Sequence, residues 1–380
     1  MTLSRPQLNA IIISYATLVL YGFLDNVRGP ILSDIITFFN MSHFQGSLFF
    51  SITSAFFMVG AIVAPSMFHY RGYRRTFMEQ TVLLMISQLI FAMANEKVWF
   101  LSGCLFMGFA VGVLSVMQNV LVLEASPSHL ASRFINGLHA NYAFASFLAP
   151  LVVSLIYRNQ WSFKMIFFVN AIFSLLVFLL IVAAKPIYQP TKIANPGLRR
   201  NLSFKYLPFA LLLSCYVAGE VLVTSRLSQF LYQYHGLTKE NASDALSALF
   251  LLLLVGRLAF SFWALNKSII GWIRILLFLS ILCVVLGLYV SYWFFIILGL
   301  VMSPLYALMM LQARKTYGDQ IDQAASLGIF VSGVMIIFMN SLVGWISDYW
   351  GIFWALLVSC VFFLISYVIF EWKLAKYDSA

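Results

Sequence analysis

The sequence predicts an all-α polytopic membrane protein with twelve transmembrane helices in two pseudo-symmetric six-helix bundles. The composition is 62% hydrophobic and only 9% charged, whereas soluble domains are about half apolar and a quarter charged. Apolar runs of about 20 residues, the length that crosses a bilayer, recur along the chain. These runs are too long for barrel strands and lack their alternation, so a transmembrane β-barrel is excluded.

In the N-terminal half, charged residues and turn-forming residues delimit six apolar runs. The second run ends before the basic stretch 69–75, the fourth before Glu124, the fifth before Arg158 and the sixth before Lys185. The predicted spans of this half are 8–27, 45–68, 78–95, 98–122, 134–156 and 163–184. Each is long enough to cross the hydrocarbon layer as a helix.

The C-terminal half divides in the same way. Its first apolar run begins after Lys205, the second follows the polar stretch 233–242, the fourth ends before Arg314 and the last ends before Lys373. The predicted spans of this half are 207–228, 243–264, 270–289, 291–312, 325–345 and 352–371. The chain therefore has twelve predicted spans.

The Lys and Arg residues predict the orientation of the spans. Seventeen fall on one side: Arg5, Arg71, Arg74, Arg75, Arg133, Lys185, Lys192, Arg199, Arg200, Lys205, Arg257, Lys267, Arg274, Arg314, Lys315, Lys373 and Lys376. Five fall on the other side: Lys97, Arg158, Lys164, Arg226 and Lys239. Because cytoplasmic loops carry the excess of basic residues, both termini are predicted to be cytoplasmic. The short loops favour a bacterial cytoplasmic (inner) membrane.

Several classes of function are excluded by composition and motifs. The net charge of +10 comes from scattered basic residues rather than one patch, so no nucleic-acid partner is expected. The four Cys lie in apolar runs without a CxxC pair, and the five His are dispersed, so no metal site is expected. There is no Walker loop, no HExxH motif and no Ser/His/Asp set in a soluble domain, so the chain is not expected to be an enzyme or an ATPase. No cofactor is expected, and the energy must come from an ion gradient or from the solute's own gradient.

A central segment divides the chain into two predicted domains. Residues 185–206 include three Pro and five basic residues and form the only polar stretch of that length. We interpret this segment as a cytoplasmic linker between an N-terminal bundle, 1–184, and a C-terminal bundle, 207–380.

The two predicted bundles also share residues at a nearly constant spacing. Tyr21 and Asp25 correspond to Tyr216 and Glu220 at an offset of 195, Val59-Gly60 to Val255-Gly256 at 196, and Ala131-Ser132 to Ala325-Ser326 at 194. A nearly constant offset in three regions indicates duplication of a six-helix unit. Many secondary transporters are built this way and hold the solute between the repeats near the bilayer midplane.

The twelve spans, cytoplasmic termini and central loop resemble the major facilitator superfamily. In that family the loop after the second span reads roughly G-x-x-x-D-R-x-G-R-R, and here it is PSMFHYRGYRR, Pro65 to Arg75. Gly72 and the basic residues match, whereas Pro65, His69 and Tyr70 replace the Gly, Asp and Arg. The resemblance implies a gating loop that contains Arg71, Gly72, Arg74 and Arg75.

Within the superfamily, the chain is similar to the branch of the L-fucose–proton symporter and the sodium–glucose transporter-like proteins. The supporting stretches are FLDNVRGPIL, SHFQGSLFFS, CYVAGE, LLVGRLAFSF and LVGWISDYWG, which occur in both halves. The fucose symporter's fourth-helix Glu falls at Ser115, and its first-helix Asp falls at Asp25 or Asn26. The identity of the sugar is therefore not carried over.

Two intramembrane acids are the main candidates for function, because charged residues inside a bilayer are costly and usually serve a site. Asp25 and Arg28 are three residues apart, so they can pair on one helix face with Tyr21 on the same stripe. They either neutralise each other structurally or line the solute site. Glu220 has no basic residue on its own helix face, since Arg226 is six residues away. A carboxyl group without a close cation takes up a proton readily in a low-dielectric environment, so Glu220 is the predicted proton carrier, with Asp25 as a second candidate. The alternative for Glu220 is a structural pair with a basic residue from another helix, such as Arg28.

Hydroxyl and amide side chains inside the predicted spans are candidate solute ligands, because they can donate to and accept from a polyol. The candidates are Tyr21, Asp25, Asn26, Arg28, Ser115, Gln118, Asn119, His139, Asn141, Tyr142, Tyr216 and Asn340. The alternative for each amide is a structural hydrogen bond between helices.

These observations predict a secondary active transporter that moves a small, sugar-like polar solute by alternating access, with proton symport favoured over sodium symport. Its expected partners are the solute and the lipid bilayer, and it is expected to act as a monomer. One alternative is a transporter of an organic anion, carboxylate or siderophore, in either direction, that uses Arg28. A second alternative is a non-transporting membrane receptor on the same scaffold.

Overall fold

A computed structural model of the chain describes residues 3–127, 129–188, 204–262 and 268–375. These residues form helices joined by short connections, and no strand occurs among them. Twelve helical segments within the described ranges are long and apolar enough to cross a bilayer. The prediction of an all-α, multi-pass membrane protein with twelve spans is therefore confirmed.

Within the described ranges, the bounds of the α-helices follow the predicted spans closely. In the first half they are α1 (Arg5–Asn26), α2 (Arg28–Phe38), α3 (His43–Arg71), α4 (Tyr73–Met93), α5 (Lys97–Ala125), α6 (Ala131–Arg158) and α7 (Lys164–Ala183). In the second half they are α8 (Leu207–Gln233), α9 (Lys239–Phe262), α10 (Ile269–Tyr289), α11 (Trp293–Met302), α12 (Leu305–Tyr317), α13 (Ile321–Trp350) and α14 (Ile352–Ile369), and a π-helical turn (Phe370–Leu374) follows α14.

Two helix breaks lie next to a proline. The first predicted span, 8–27, ends at Val27, between α1 and α2, and Pro30 lies in the first turn of α2. The tenth predicted span, 291–312, breaks at Ser303 and Pro304, between α11 and α12. Proline has no N–H for the carbonyl four residues earlier. At the second break the hydroxyl of Ser303 donates to the carbonyl of Leu300 (2.8 Å), the group that Pro304 cannot serve. Asp25 and Arg28 lie on either side of Val27, whose backbone dihedrals remain α-helical, so the spacing of three residues still brings the two side chains together.

The chain sorts into two compact units. The first contains Met1–Asn40 and Leu48–Leu198, and the second contains Met41–Ser47 and Arg199–Ala380. Most of the predicted linker, residues 189–203, lies outside the described residues, and the domain bounds 1–184, 185–206 and 207–380 stay a prediction.

Helix packing repeats within the two units. In the first unit α1 packs against α6, and α4 packs against α5 and α7. In the second unit α8 packs against α13, and α10 packs against α11 and α14. In each half the first span therefore packs against the fifth, and the third packs against the fourth and the sixth. This repetition is expected for a duplicated six-helix unit.

A pair of glycines at equivalent positions permits close helix packing in each unit. A Cβ on Gly60 of α3 would collide with the backbone of Phe109 in α5. A Cβ on Gly256 of α9 would collide with the side chain of Ser303. Small residues at such contacts let helices approach closely in membranes.

The start of α3 is fixed within the second unit by an acid from α13. The backbone N–H groups of His43 and Phe44 donate to the two carboxylate oxygens of Asp348, at 2.5 and 2.9 Å. These N–H groups have no partner inside their own helix, and a negative charge is favourable at a helix N-terminus. Asp348 therefore caps a helix that lies about 300 residues earlier in the sequence.

Candidate functional site

The first unit brings together five of the predicted residues in one polar cluster. We call this the first cluster, and it comprises Tyr21, Asp25, Asn26, Arg28 and Tyr142. It forms where α1 ends, α2 begins and α6 packs against α1. The break at Val27 lies between Asp25 and Arg28, so the two charges face each other across a helix interruption rather than along a regular helix.

Asp25 is held from two sides. Its Oδ1 accepts from the Nη2 of Arg28, and its Oδ2 accepts from the hydroxyl of Tyr142 at 3.0 Å. The predicted pairing of Asp25 with Arg28 is thus present in the structure. Both carboxylate oxygens have a partner, which compensates for burying the charge.

Arg28 is almost enclosed, with 8% of the residue exposed. Its Nε donates to the backbone carbonyl of Asp25 (3.2 Å). Its guanidinium also lies over the rings of Phe49 and Phe50, with centroids at 5.5 and 4.9 Å. Cation–π contacts of this kind stabilise a desolvated arginine. The Nη1 atom is buried without a hydrogen-bond partner among the described residues, so one donor is left to a ligand.

Tyr21 and Asn26 complete the first cluster. The ring of Tyr21 packs against the ring of Tyr142 with centroids 5.3 Å apart. The amide of Asn26 donates to the carbonyl of Gly22 (2.7 Å) and to the hydroxyl of Ser146 in α6 (2.9 Å). Asn26 therefore also fixes α1 to α6, which is the structural alternative for an intramembrane amide.

The three predicted ligands of α5 differ in their surroundings. Ser115 and Asn119 bond within their own helix, to the carbonyls of Gly112 and Ser115, both at 2.8 Å. Gln118 is fully buried, and neither its amide oxygen nor its amide nitrogen has a partner among the described residues. Because a buried unsatisfied amide is costly, Gln118 is the stronger candidate of the three for a ligand contact.

The remaining predicted residues of α6 are not members of the first cluster as defined above. His139 is exposed and Asn141 is partly buried. Their roles as solute ligands stay a prediction.

The second unit contains an equivalent arrangement around Glu220 in α8. We call it the second cluster, and it comprises Tyr216, Glu220, Arg257 and Tyr306. The Nη2 of Arg257, from α9, lies 3.8 Å from a carboxylate oxygen of Glu220. The hydroxyl of Tyr216 donates to the carbonyl of Met302 (2.9 Å) and lies beside Glu220, and the phenol of Tyr306 lies near both charges. In both clusters an acid therefore meets an arginine and a tyrosine.

Two arginines lie at positions that differ from the membrane surfaces to which the sequence analysis assigned them. Arg257 was assigned to the basic surface but lies inside α9 beside Glu220. The alternative that Glu220 pairs with a basic residue from another helix is therefore present in the structure, and that residue is Arg257 rather than Arg28. Arg226 was assigned to the opposite surface but is buried within α8, with 2% exposed. Both lay within the predicted spans, 243–264 and 207–228, and that placement was the signal that could have found them.

Asn340 lies in a separate polar group of the second unit. Its Nδ2 donates to the carbonyl of Ile336 (2.9 Å), and its Oδ1 accepts from Arg226 (3.4 Å). Arg226 also donates to the hydroxyl of Ser47 (2.8 Å). The Asn340 side chain is therefore occupied by structural contacts within α13 and with Arg226 of α8.

The predicted gating loop forms an ion-pair network. Arg71 and Arg75 both pair with Glu79 of α4, at 2.9 and 3.0 Å. Arg74 donates to the carbonyl of Val182 at the end of α7 (3.0 Å). Gly72 separates α3 from α4 with a φ of 75°, a conformation that favours glycine. Glu79 thus supplies a carboxylate to this loop, in which Tyr70 and His69 replace the charged residues of the family motif.

The chemistry available to the two clusters is hydrogen bonding and proton binding. No group of three His, Cys, Asp or Glu in the described ranges is placed to hold a metal ion. The carboxylates, phenols and amides can donate to and accept from a polar solute, and a carboxylate can exchange a proton.

Comparison with known proteins agrees with this architecture. The family model for the Major Facilitator Superfamily matches residues 15–338. A curated relative, the Protein TsgA homolog of Buchnera aphidicola subsp. Baizongia pistaciae (strain Bp), is 22% identical over 365 residues, which is 93% of each chain.

Solved structures share the fold at low sequence identity. A bacterial homolog of the human lysosomal transporter Spinster, in an inward-facing and occupied conformation, aligns with a TM-score of 0.79 at 13% identity, over 98% of this chain and 97% of the other. The D-xylose–proton symporter aligns with a TM-score of 0.73 at 13% identity, over 98% and 99%. A variant of the E. coli fucose:proton symporter FucP aligns with a TM-score of 0.62 at 18% identity, over 99% and 100%.

Proposed function

The chain belongs to the Major Facilitator Superfamily, and from this premise we propose that it is a proton-coupled secondary transporter of a small, sugar-like polar solute. The family and the fold are those of membrane transporters rather than of enzymes. The names of two fold relatives, a D-xylose–proton symporter and a fucose:proton symporter, support the solute class and the coupling ion. The transporter acts as a monomer in a bacterial inner membrane, with both termini in the cytoplasm.

The solute binds at the first cluster and at the neighbouring amides of α5. Asp25 and Asn26 offer acceptor and donor groups at the end of α1, and Arg28 has one free donor, Nη1. Gln118 offers a complete unpaired amide. Such groups can satisfy the hydroxyls of a polyol in fixed directions.

Glu220 is the proton carrier in this proposal. The observation that supports it is the long distance between the carboxylate of Glu220 and the guanidinium of Arg257. At 3.8 Å the pair is longer than the 2.7–2.9 Å of a strong charge-assisted hydrogen bond. The carboxylate is thus partly stabilised and 18% exposed, so a proton can reach it and leave it. Sodium coupling has weaker support, because sodium needs several oxygen ligands around one point and the second cluster offers one carboxylate.

The transport cycle uses these groups in order. Glu220 takes up a proton from the outside, and the solute binds at the first cluster. The transporter then changes conformation so that both groups open to the cytoplasm. There Glu220 loses the proton and the solute leaves.

Replacing Glu220 by Gln tests the coupling. In proteoliposomes with an imposed pH gradient, we expect Glu220→Gln to abolish gradient-driven accumulation of the transported solute, because Gln cannot release a proton. Exchange of solute for solute should persist, since it needs no net proton movement. The matched control is Glu96→Gln, which changes an exposed acid outside both clusters and should accumulate solute like the wild type.

Two outcomes would contradict the proposal. Accumulation by Glu220→Gln at the wild-type level would remove Glu220 from the coupling mechanism. No flux of any solute, across a panel of sugars, amino acids and organic acids, would favour the receptor alternative.

A further inference from the structure

Arg257 has an environment that differs from those of the other two intramembrane arginines. Arg28 and Arg226 are 8% and 2% exposed and donate to neighbouring side chains or carbonyls. The side chain of Arg257 is 39% exposed, and among the described residues its recorded partner is one oxygen of Glu220 at 3.8 Å. Most of the five N–H donors of this guanidinium are therefore available to a ligand.

Protonation of Glu220 changes the charge balance of the second cluster. With Glu220 ionised, the cluster is neutral because the carboxylate offsets the guanidinium. With Glu220 protonated, Arg257 is left as a cation inside a membrane-spanning helix, and an uncompensated charge there is costly. The other groups beside Glu220 are the phenols of Tyr216 and Tyr306, which are neutral. No described charged residue of α13 or α14, which also pack against α8, forms an ion pair with Glu220.

We propose that Arg257 binds an acidic group of the solute when Glu220 is protonated, so that the solute is a sugar-like carboxylate rather than a neutral sugar. This inference rests on the proposed function, because it takes Glu220 as the proton carrier, and it departs from that function in one respect, because the acidic group of the solute binds at the second cluster. The proton neutralises Glu220, the solute carboxylate replaces it as the partner of Arg257, and the cluster stays neutral. A guanidinium suits this role because its planar donors match a carboxylate in a bidentate pair. One proton and one anion then cross together without net charge.

The experiment compares neutral sugars with their acid forms as ligands of the purified protein. Thermal-shift and titration measurements use D-glucose against D-gluconate and D-glucuronate, at pH 6 and pH 8, where both acids are ionised. We expect the acids to bind more tightly than glucose, and to bind more tightly at pH 6 than at pH 8, because binding of the anion is coupled to the uptake of one proton by the second cluster. Arg257→Gln should weaken acid binding about tenfold to a hundredfold, the usual effect of losing a hydrogen bond to a charged group. Arg257→Lys should recover part of the affinity.

Two further variants separate ligand binding from folding. Glu220→Gln mimics the protonated acid and leaves Arg257 in place, so it should bind the acids at pH 8 at least as tightly as the wild type does at pH 6. A purely structural role for Arg257 does not predict this gain. Arg314→Gln removes an exposed cation of α12 outside the second cluster and should change nothing.

The outcomes distinguish this inference from the proposed function. Transport of a neutral sugar with an affinity that Arg257→Gln leaves unchanged would overturn the inference and leave the transporter assignment standing. Loss of the pH dependence in the wild type, or failure of Glu220→Gln to bind the acids at pH 8, would also overturn it. Absence of flux with every solute would overturn the proposed function itself.

Discussion

At the scale of single residues, each intramembrane acid of the two clusters has an arginine partner. Asp25 and Arg28 form a tight pair that is closed by Tyr142, whereas Glu220 and Arg257 form a longer one. The two acids are similarly exposed, at 24% for Asp25 and 18% for Glu220, whereas the arginines differ, at 9% for Arg28 and 39% for Arg257. The geometry therefore favours a fixed pair of Asp25 with Arg28, which leaves Nη1 of Arg28 for the solute, and a pair of Glu220 with Arg257 that can exchange its partner.

Replacing Arg28 tests this division. We expect Arg28→Gln to destabilise the protein by about 1–3 kcal/mol, because it leaves the partly buried carboxylate of Asp25 without its cation. The double variant Asp25→Asn with Arg28→Gln should regain much of that loss, since it removes both charges. Thermal unfolding of the two variants in detergent measures the difference, with Asp25→Asn alone completing the double-mutant cycle. Equal stability of Arg28→Gln and the wild type would show that the pair contributes nothing to the fold.

The sequence could predict the Asp25–Arg28 pair because both residues lie within four positions of each other. It could not predict the pairing of Glu220 with Arg257, because 37 residues separate them and the contact depends on how α8 packs against α9. The charge count also failed there for a physical reason. A basic residue near the end of a span was assigned to the adjacent membrane surface. Its long side chain can, however, point either to that surface or into the helix bundle.

At the scale of elements, apolar run length predicted the spans but not their interruptions. Runs of about 20 apolar residues suffice to locate a membrane helix, and every predicted span corresponds to a described helix or helix pair. The breaks at Val27 and Ser303 depend on Pro30 and Pro304 and on local hydrogen bonds. Hydropathy measures only how apolar a segment is, so it does not report such breaks. Prolines near the end of a run were the available signal for both.

Two glycines at equivalent positions give a prediction for helix packing. We expect Gly60→Ala to destabilise the first unit by about 1–3 kcal/mol, the usual cost of overpacking, because the added Cβ meets the backbone of Phe109, which cannot rotate away. Gly256→Ala is the matched variant, and its Cβ meets the hydroxyl and Cβ of Ser303. The hydroxyl of Ser303 can rotate away whereas its Cβ is fixed by the backbone, so part of this clash can be relieved and the second substitution should cost somewhat less. Thermal unfolding of both purified variants measures the order, and a larger effect at Gly256 would contradict it.

At the scale of the whole molecule, two units carry the same internal packing and equivalent acid, arginine and tyrosine groups. The repeat was visible in the sequence as the spacing of Tyr21 and Asp25 relative to Tyr216 and Glu220. The assignment of Met41–Ser47 to the second unit was not visible, because it depends on the cap from Asp348 and on contacts of Ser47 with Arg226. Local patterns cannot report a bond that joins residues about 300 positions apart.

The predicted orientation of the molecule in the membrane depends on where its basic residues lie. This prediction can be tested with single introduced cysteines. The native cysteines are buried or partly buried, so a membrane-impermeant maleimide should react mainly with introduced sites. Glu96→Cys and Tyr234→Cys, exposed near helix ends on the predicted outer side, should be labelled in intact cells. Arg75→Cys and Arg314→Cys, exposed on the predicted cytoplasmic side, should be labelled only after the cells are permeabilised. The excess of basic residues on one side is the basis of this prediction. Each half of the chain has one introduced cysteine on each predicted side. Labelling of Arg75→Cys in intact cells would show that the first half has the opposite orientation, and labelling of Arg314→Cys would show the same for the second half.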